Sequence, residues 1–168
     1  SGKEPILAVR RRSTEQFAGG VIAVANHLAG FCHEVTMVTF LGGDNEPRED
    51  YVRKHLQPGV TPVFLEMPSG PTITKRRFIE EYPFQKLFEV YEMNEDAVGS
   101  RETSELVASL EQLLPNHDLA IVTDYGHGML GQDAVRALAE HASFLAVNTQ
   151  ANAGNHGFNT VSKYPRAD

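Results

Sequence analysis

The sequence predicts an α/β fold, with a mostly parallel sheet, helices on its faces and a small antiparallel β lid. Two observations carry this expectation. Short apolar runs of strand length alternate with helix-period segments along most of the chain. One stretch between Val60 and Met93 breaks the rhythm with three β-like segments, VTPVFLE, TITKRRFIE and KLFEVYE, and no helix between them.

In chain order, Ile6 to Val9 reads as a strand, and Gly19-Gly20 open a helix whose Val21, Val24, Ala25 and Leu28 share a face. The run VTMVTFL, Val35 to Leu41, reads as a buried strand stopped by Gly42-Gly43-Asp44. Pro47 to Leu56 follows as a helix that ends before Pro58-Gly59. The three lid segments come next. Leu106, Leu110 and Leu113 then give a helix its core face, and Pro115-Asn116 closes it. Leu119 to Thr123, a helix over Gln132 to His141, and Phe144 to Val147 make a β-α-β unit. No internal repeat or low-complexity segment interrupts this order.

Composition bounds the function. The 168 residues fit one domain or a large piece of one, with ordinary hydrophobic (41%) and charged (22%) fractions. A formal charge of −7 argues against a nucleic-acid partner, because such surfaces are usually basic. The single Cys32, read as a small core filler, excludes an internal disulfide and fits a cytoplasmic location. No apolar run approaches the ~20 residues of a membrane span, so no membrane partner is expected. Ser1-Gly2 and the abrupt start before Pro5 read as an expressed piece of a longer chain.

Chemistry-bearing residues concentrate at strand ends. Asp124 ends the run Leu119 to Thr123 and is followed by Gly126-His127-Gly128. In an open α/β sheet, ligands bind beyond the carboxyl ends of strands, and glycines let backbone approach a ligand closely. In this ligand-facing reading the Asp124 carboxylate is exposed and points into the crevice, so Asp124→Asn leaves the fold nearly intact; the competing reading makes Asp124 a turn or helix-capping residue and the glycines a tight loop. In the lid, a period of two puts Ile73, Lys75, Arg77 and Ile79 on one face, with Lys75 and Arg77 ~7 Å apart as a grip on an anionic group. An edge strand guarded by positive charge is the alternative. The stretch Asn148 to Asn159, with four asparagines, reads as a ligand-contacting loop or as a connection whose asparagines satisfy their own backbone. His27, His33, His55, His117 and His141 read as surface or helix-end residues.

The stretches EPILAVR (4–10), GGVIAVANHLAG (19–30), LGGDN (41–45), PTITKRRFI (71–79), TDYGHGML (123–130) and LAVNTQANAG (145–154) together resemble the ribokinase-type (PfkB) carbohydrate kinases, most closely the heptose-phosphate kinase branch often fused to a nucleotidyltransferase. The resemblance implies a ribokinase-like doubly wound sheet over a single partial domain, residues 1–168, with lid strands at about 4–10 and 60–93. It implies a sugar or sugar phosphate under the lid, a homodimer clasped through it, and ATP with Mg2+ in the full-length parent but no cofactor in this piece. On it, Gly19 and Gly20 lie against the sugar, Asp44 and Asp124 face its hydroxyls or the transferring phosphate, Lys75 and Arg77 reach an anionic substituent, and Gly126, His127 and Asn148 line the substrate. His127 stands where the family carries lysine.

Departures from the family pattern are equally specific. Ala23 replaces a sugar-binding asparagine, Glu89 stands where a lid arginine would meet a phosphate, and Asn148-Thr149-Gln150-Ala151 replaces Asp-Pro-Lys-Gly. The residues contain no Gly-Ala-Gly-Asp and no Gly-x-x-x-x-Gly-Lys, and the family's Asn-x-x-Glu would come only beyond Asp168. Phosphoryl transfer depends on charge positioned around the γ-phosphate, so no catalytic residue is assigned. Gly154-Asn155-His156-Gly157 resembles the Gly-Asn-His of binuclear metallophosphoesterases, with Asp44, Asp124 and His127 as possible ligands, but Gly157 stands where that family needs an acid, and no metal site is assigned. The expectation is the sugar-binding and lid part of an ATP-dependent sugar kinase. The alternative is a non-catalytic sugar-phosphate-binding and dimerisation module.

Overall fold

The computed structural model describes residues 8–43, 48–94 and 98–168. Its order is α1 (Val21–Leu28), β1 (Val35–Gly42), α2 (Arg48–Lys54), β2 (Val60–Met67), β3 (Thr74–Glu80), β4 (Gln85–Glu92), α3 (Ser100–Leu113), β5 (Ala120–Asp124), α4 (Gln132–His141) and β6 (Leu145–Thr149). Ala8 and Val9 lie outside any strand, so the expected first strand has no described counterpart; Ile6, Leu7 and Asp44 lie outside the described residues.

β1 and β2 pair in parallel, from Val35 opposite Val60 to Gly42 opposite Met67. Their faces explain the pairing. Val35, Met37, Leu41, Val60 and Phe64 pack toward Ala25 of α1 and Val52 of α2, whereas Val38, Phe40 and Leu65 pack against the cluster containing Leu106 and Leu110 of α3. A strand pair apolar on both faces must be covered by helices on both sides. This corrects the expectation of a three-stranded antiparallel lid. VTPVFLE belongs to the parallel pair, because α2 supplies the crossover that parallel strands need.

The lid is therefore two strands. β3 and β4 pair antiparallel, with Lys75 opposite Tyr91 and Arg77 opposite Glu89, and the register skips Leu87. Phe78 and Phe88 stack 4.4 Å apart. The third pair, β5 and β6, is parallel and runs from Ala120 opposite Leu145 to Asp124 opposite Thr149, with α4 as its crossover. Leu106, Val122, Ala134, Leu138 and Leu145 form the larger core beneath it. At the amino ends of the strands His117 links the two parallel pairs, its Nε2 lying 2.9 Å from Thr36 Oγ1. Cys32 is exposed rather than buried, because α1 has already ended and the turn leaves the core there.

Gly42 shows why the sequence carries a glycine pair after β1. A Cβ at Gly42 would sit 2.1 Å from the Thr72 nitrogen and 2.2 Å from the Pro71 carbonyl carbon. The chain leading into the lid crosses the end of β1 at that point, and only glycine leaves room.

Candidate functional site

The site is built at the carboxyl end of β5. Asp124 is its last residue and is 4% exposed, which corrects the expectation of an exposed carboxylate open to the crevice, because the chain's own donors enclose it. Every oxygen of the carboxylate is taken by the chain itself. Oδ1 accepts from the Gly126 N–H at 2.8 Å and from Asn159 Nδ2 at 3.2 Å; Oδ2 accepts from the Tyr164 hydroxyl at 2.8 Å and pairs with the Lys163 ammonium. Burial pushes the Asp124 carboxyl up, but Lys163, Tyr164 and the Gly126 N–H outweigh it and hold it below the usual carboxylate range. Burial and the same carboxylate push the Tyr164 hydroxyl far above its ordinary value.

Gly126 has φ +69°, and a Cβ there would lie 2.5 Å from Asn155 Nδ2, so the turn after Asp124 requires glycine twice over. The asparagine-rich stretch serves this turn. Asn152 and Asn155 donate to the Tyr125 carbonyl at 2.8 and 3.1 Å, Asn155 also to the Gln150 carbonyl at 2.8 Å, and Asn159 to the Asp124 carbonyl at 2.9 Å. These side chains satisfy their own neighbouring, partly buried backbone, as one of the two readings made from sequence expects.

A cleft of about 3030 Å³ runs along the strands, from Asn116, His117 and Asp118 at their amino ends to Asp124, Tyr125 and His127 at the carboxyl end of β5. Gly19, Gly20, Lys75, Arg77, Asp124 and His127 all line it, whereas Gly126, Asn148 and Ala23 do not. Asn148 lies exposed on β6 opposite Thr123. Gly20 approaches the β5 end closely, since a Cβ on it would be 3.8 Å from the Tyr125 ring. Ordinary ligand pockets hold ~300–1,000 Å³, so a small ligand would occupy only part of this cleft.

The lid charges are engaged with one another. Arg77 Nε donates to Glu89 Oε1 at 2.7 Å, Tyr91 donates to Glu89 Oε2 at 2.8 Å, and Lys86 lies 3.6 Å from the same carboxylate. Glu89 is thus a partner of Arg77, and its carboxyl is held down to about 2 chiefly by that hydrogen bond. Lys75 stands over the Tyr91 ring, 5.0 Å from its centroid, and burial followed by Arg77 lowers its ammonium below the ordinary lysine value. His127 differs from all of these. Both of its ring nitrogens are buried and neither has a hydrogen-bond partner among the described residues. Burial and then Lys75 lower its imidazole below the ordinary value, against a smaller opposing pull from Asp124. Among the described residues no three His, Cys, Asp or Glu side chains converge as a metal site.

No family model matches the chain. The bifunctional protein HldE of Marinomonas sp. is 33% identical over 132 residues, covering 77% of this chain and 26% of that protein. The chain resembles the bifunctional HldE proteins. HldE of Gluconacetobacter diazotrophicus is 27% identical over 128 residues, covering 76% of this chain and 26% of that protein. HldE of Azotobacter vinelandii is 26% identical over 147 residues, covering 88% of this chain and 30% of that protein. This agrees with the resemblance to bifunctional sugar kinase/nucleotidyltransferases read from the sequence motifs. The chain spans about a quarter of the length of these HldE relatives. No helix among the described residues is long and apolar enough to cross a membrane.

The sequence missed Lys163 and Tyr164, which hold Asp124 together with Asn159 of the asparagine-rich stretch. The only signal available was a lysine-tyrosine pair before Pro165, and nothing in its spacing points 40 residues back.

Proposed function

We propose that this chain is the sugar-binding and lid part of an ATP-dependent carbohydrate (sugar-phosphate) kinase of the HldE type. The observation that carries the reading is convergence. Gly19 and Gly20 before α1, Lys75 and Arg77 on the lid, and Asp124 and His127 after β5 line one cleft although they are spread over more than a hundred residues of sequence. The helices on both faces of β1 and β2 support a ribokinase-like doubly wound sheet. The residues at the β5 end do not by themselves fit a magnesium ion, because both Asp124 oxygens already have donors. In this reading ATP and Mg2+ belong to the full-length protein, and the chain alone turns over no ATP.

The lid also serves as the homodimer clasp in this reading. Ile79, Leu87, Phe88 and Val90 are 37–44% exposed, and Phe84 at the hairpin turn is 82% exposed. Apolar groups clustered this way on a hairpin usually mark an interface. A cytoplasmic location follows from the kinase reading. The second reading, a non-catalytic sugar-phosphate-binding and dimerisation module, is favoured by the closed hydrogen-bonding of Asp124 and of Arg77.

A thermal-shift and calorimetry panel of seven-carbon and shorter sugar phosphates, with and without ATP and Mg2+, tests the proposal. A true ligand at 100 times its dissociation constant stabilises the fold by about 2.7 kcal/mol. Stabilisation by a sugar phosphate and independence from nucleotide are the expected results. No response to any sugar phosphate would sink the reading.

A further inference from the structure

Two strand edges face each other across the cleft. β1 and β5 start side by side, where His117 meets Thr36, and both line the cleft along their lengths, yet they are not hydrogen-bonded to one another. The neighbouring bonds fix which groups look into the gap. The Val35 N–H donates to Gly59 on the β2 side at 3.0 Å, and the Ala120 N–H donates to Phe144 on the β6 side at 2.8 Å. Strand backbone alternates sides, so the N–H and C=O groups of Thr36, Val38 and Phe40 on β1, and of Ile121 and Thr123 on β5, point into the cleft. None of these N–H groups meets a backbone acceptor among the described residues. Backbone groups inside a fold are nearly always paired, and a bare strand edge is a template for another strand.

We propose that the cleft between β1 and β5 is a slot for one further β-strand, parallel to both neighbours and supplied by polypeptide beyond residues 1–168. The walls set its chemistry. From Thr36 to Leu41 and from Leu119 to Thr123 there is no charged side chain. Val21 and Ala25 of α1 line the cleft on one face, and Leu106 and Leu110 of α3 on the other. A strand covered by helices on both faces is apolar throughout, and it must match the five residues of β5. Ile121, 41% exposed on β5, gains a neighbour from it. A small ligand cannot match two facing rows of alternating donors and acceptors, whereas one strand completes both. The described strands β1 to β6 are already paired, and Ala8 and Val9 lie outside any strand, which leaves the Ile6 to Val9 run too short to match β5. Relatives of this chain hold ample further polypeptide, since it covers only 26% of the Marinomonas HldE protein. The inference does not depend on the sugar-phosphate reading, to which a filled slot leaves the carboxyl-end part of the cleft, among Gly20, Lys75 and Asp124.

Amide hydrogen exchange resolved to single residues tests this in the 168-residue chain and in the full-length protein. In the shorter chain the Val38, Phe40 and Ile121 amides should exchange at least about a hundredfold faster than those of Met37, Thr39 and Val122, which belong to the β1–β2 and β5–β6 ladders. In the full-length protein the two sets should be protected alike. Val9→Asp in the full-length protein should leave that protection unchanged, because a charge would expel an inserted strand and the Ile6 to Val9 run is not the occupant. Cleft-facing amides already protected in the shorter chain would overturn the proposal: at every concentration its own residues fill the slot, and only at high concentration a second copy does. Loss of protection in Val9→Asp, or unprotected cleft-facing amides in the full-length protein, would overturn it as well. The two full-length measurements decide the question by themselves if the shorter chain does not hold its fold.

Discussion

The end of β5 and the β3–β4 lid use the same vocabulary to opposite effect. Arg77 and Glu89 meet at 2.7 Å on the lid, and Tyr164 and Asp124 meet at 2.8 Å beneath the cleft. The lid pair keeps side chains that are 55% and 23% exposed, whereas Asp124 is 4% exposed and Tyr164 7%. Solvent decides what each contact contributes. An exposed pair returns ~0.2–1 kcal/mol after screening and side-chain entropy, while removing one member of a buried, hydrogen-bonded set leaves the others desolvated and unmatched. The lesson is that contact length does not rank these interactions; the water around them does.

The strongest way to break this comparison is Asp124→Ala. It strands the Tyr164 hydroxyl and the partly exposed Lys163 ammonium, and should cost about 2–4 kcal/mol in urea unfolding. A loss below about 0.5 kcal/mol, the scale of an ordinary surface substitution, would erase the distinction between the two regions. The pH dependence carries the same sign. Asp124 in the folded chain titrates below its ordinary value, so its stabilisation is present above the usual carboxylate range and is lost as pH falls through the lowered folded value. Urea midpoints of wild type measured between pH 5 and 2 should therefore decline more steeply than those of Asp124→Asn.

Gly126→Ala should come next, at about 1–3 kcal/mol, because a side chain at φ +69° is strained and its Cβ would press on Asn155 Nδ2 at 2.5 Å. Thermal melts check it, and an unchanged midpoint would mean that the turn relaxes freely. Tyr164→Phe removes one hydrogen bond and keeps the ring, so about 1–2 kcal/mol is expected from the same unfolding assay. At the small end, Glu89→Gln should leave the melting midpoint within experimental scatter, since its partners stay solvated. A large drop there would show that the lid pairs are not the weak surface contacts their exposure implies.

Legibility in the sequence followed the range of the interactions. Helix α4 was readable to its ends because Val135 and Leu138 sit at core spacing after Gly131. Strands β1, β5 and β6 were readable as short apolar runs. The misassignment of β2 arose where two local signals conflicted. Three β-type runs in a row imply hairpins, but Val60, Phe64 and Leu65 carry apolar surface for two faces, the mark of a strand between helix layers. The hold on Asp124 by Lys163 and Tyr164 had no local pattern at all. The asparagines of 148–159 were visible as a cluster, but whether they face a ligand or their own backbone depends on the 124–126 turn, which only the folded chain brings beside them.

The Asp124–Tyr164 contact spans 40 residues of chain, with α4 and β6 folded between its ends. Closing a loop of that length costs entropy before the contact returns anything, whereas β5, α4 and β6 assemble from nearer neighbours. The hold on the carboxylate is therefore a late event in folding. In kinetic terms, Asp124→Ala and Tyr164→Phe should slow refolding little and speed unfolding by nearly the whole of their destabilisation, with φ-values near zero. Chevron plots in which these variants chiefly slow refolding would place the contact in the folding nucleus instead.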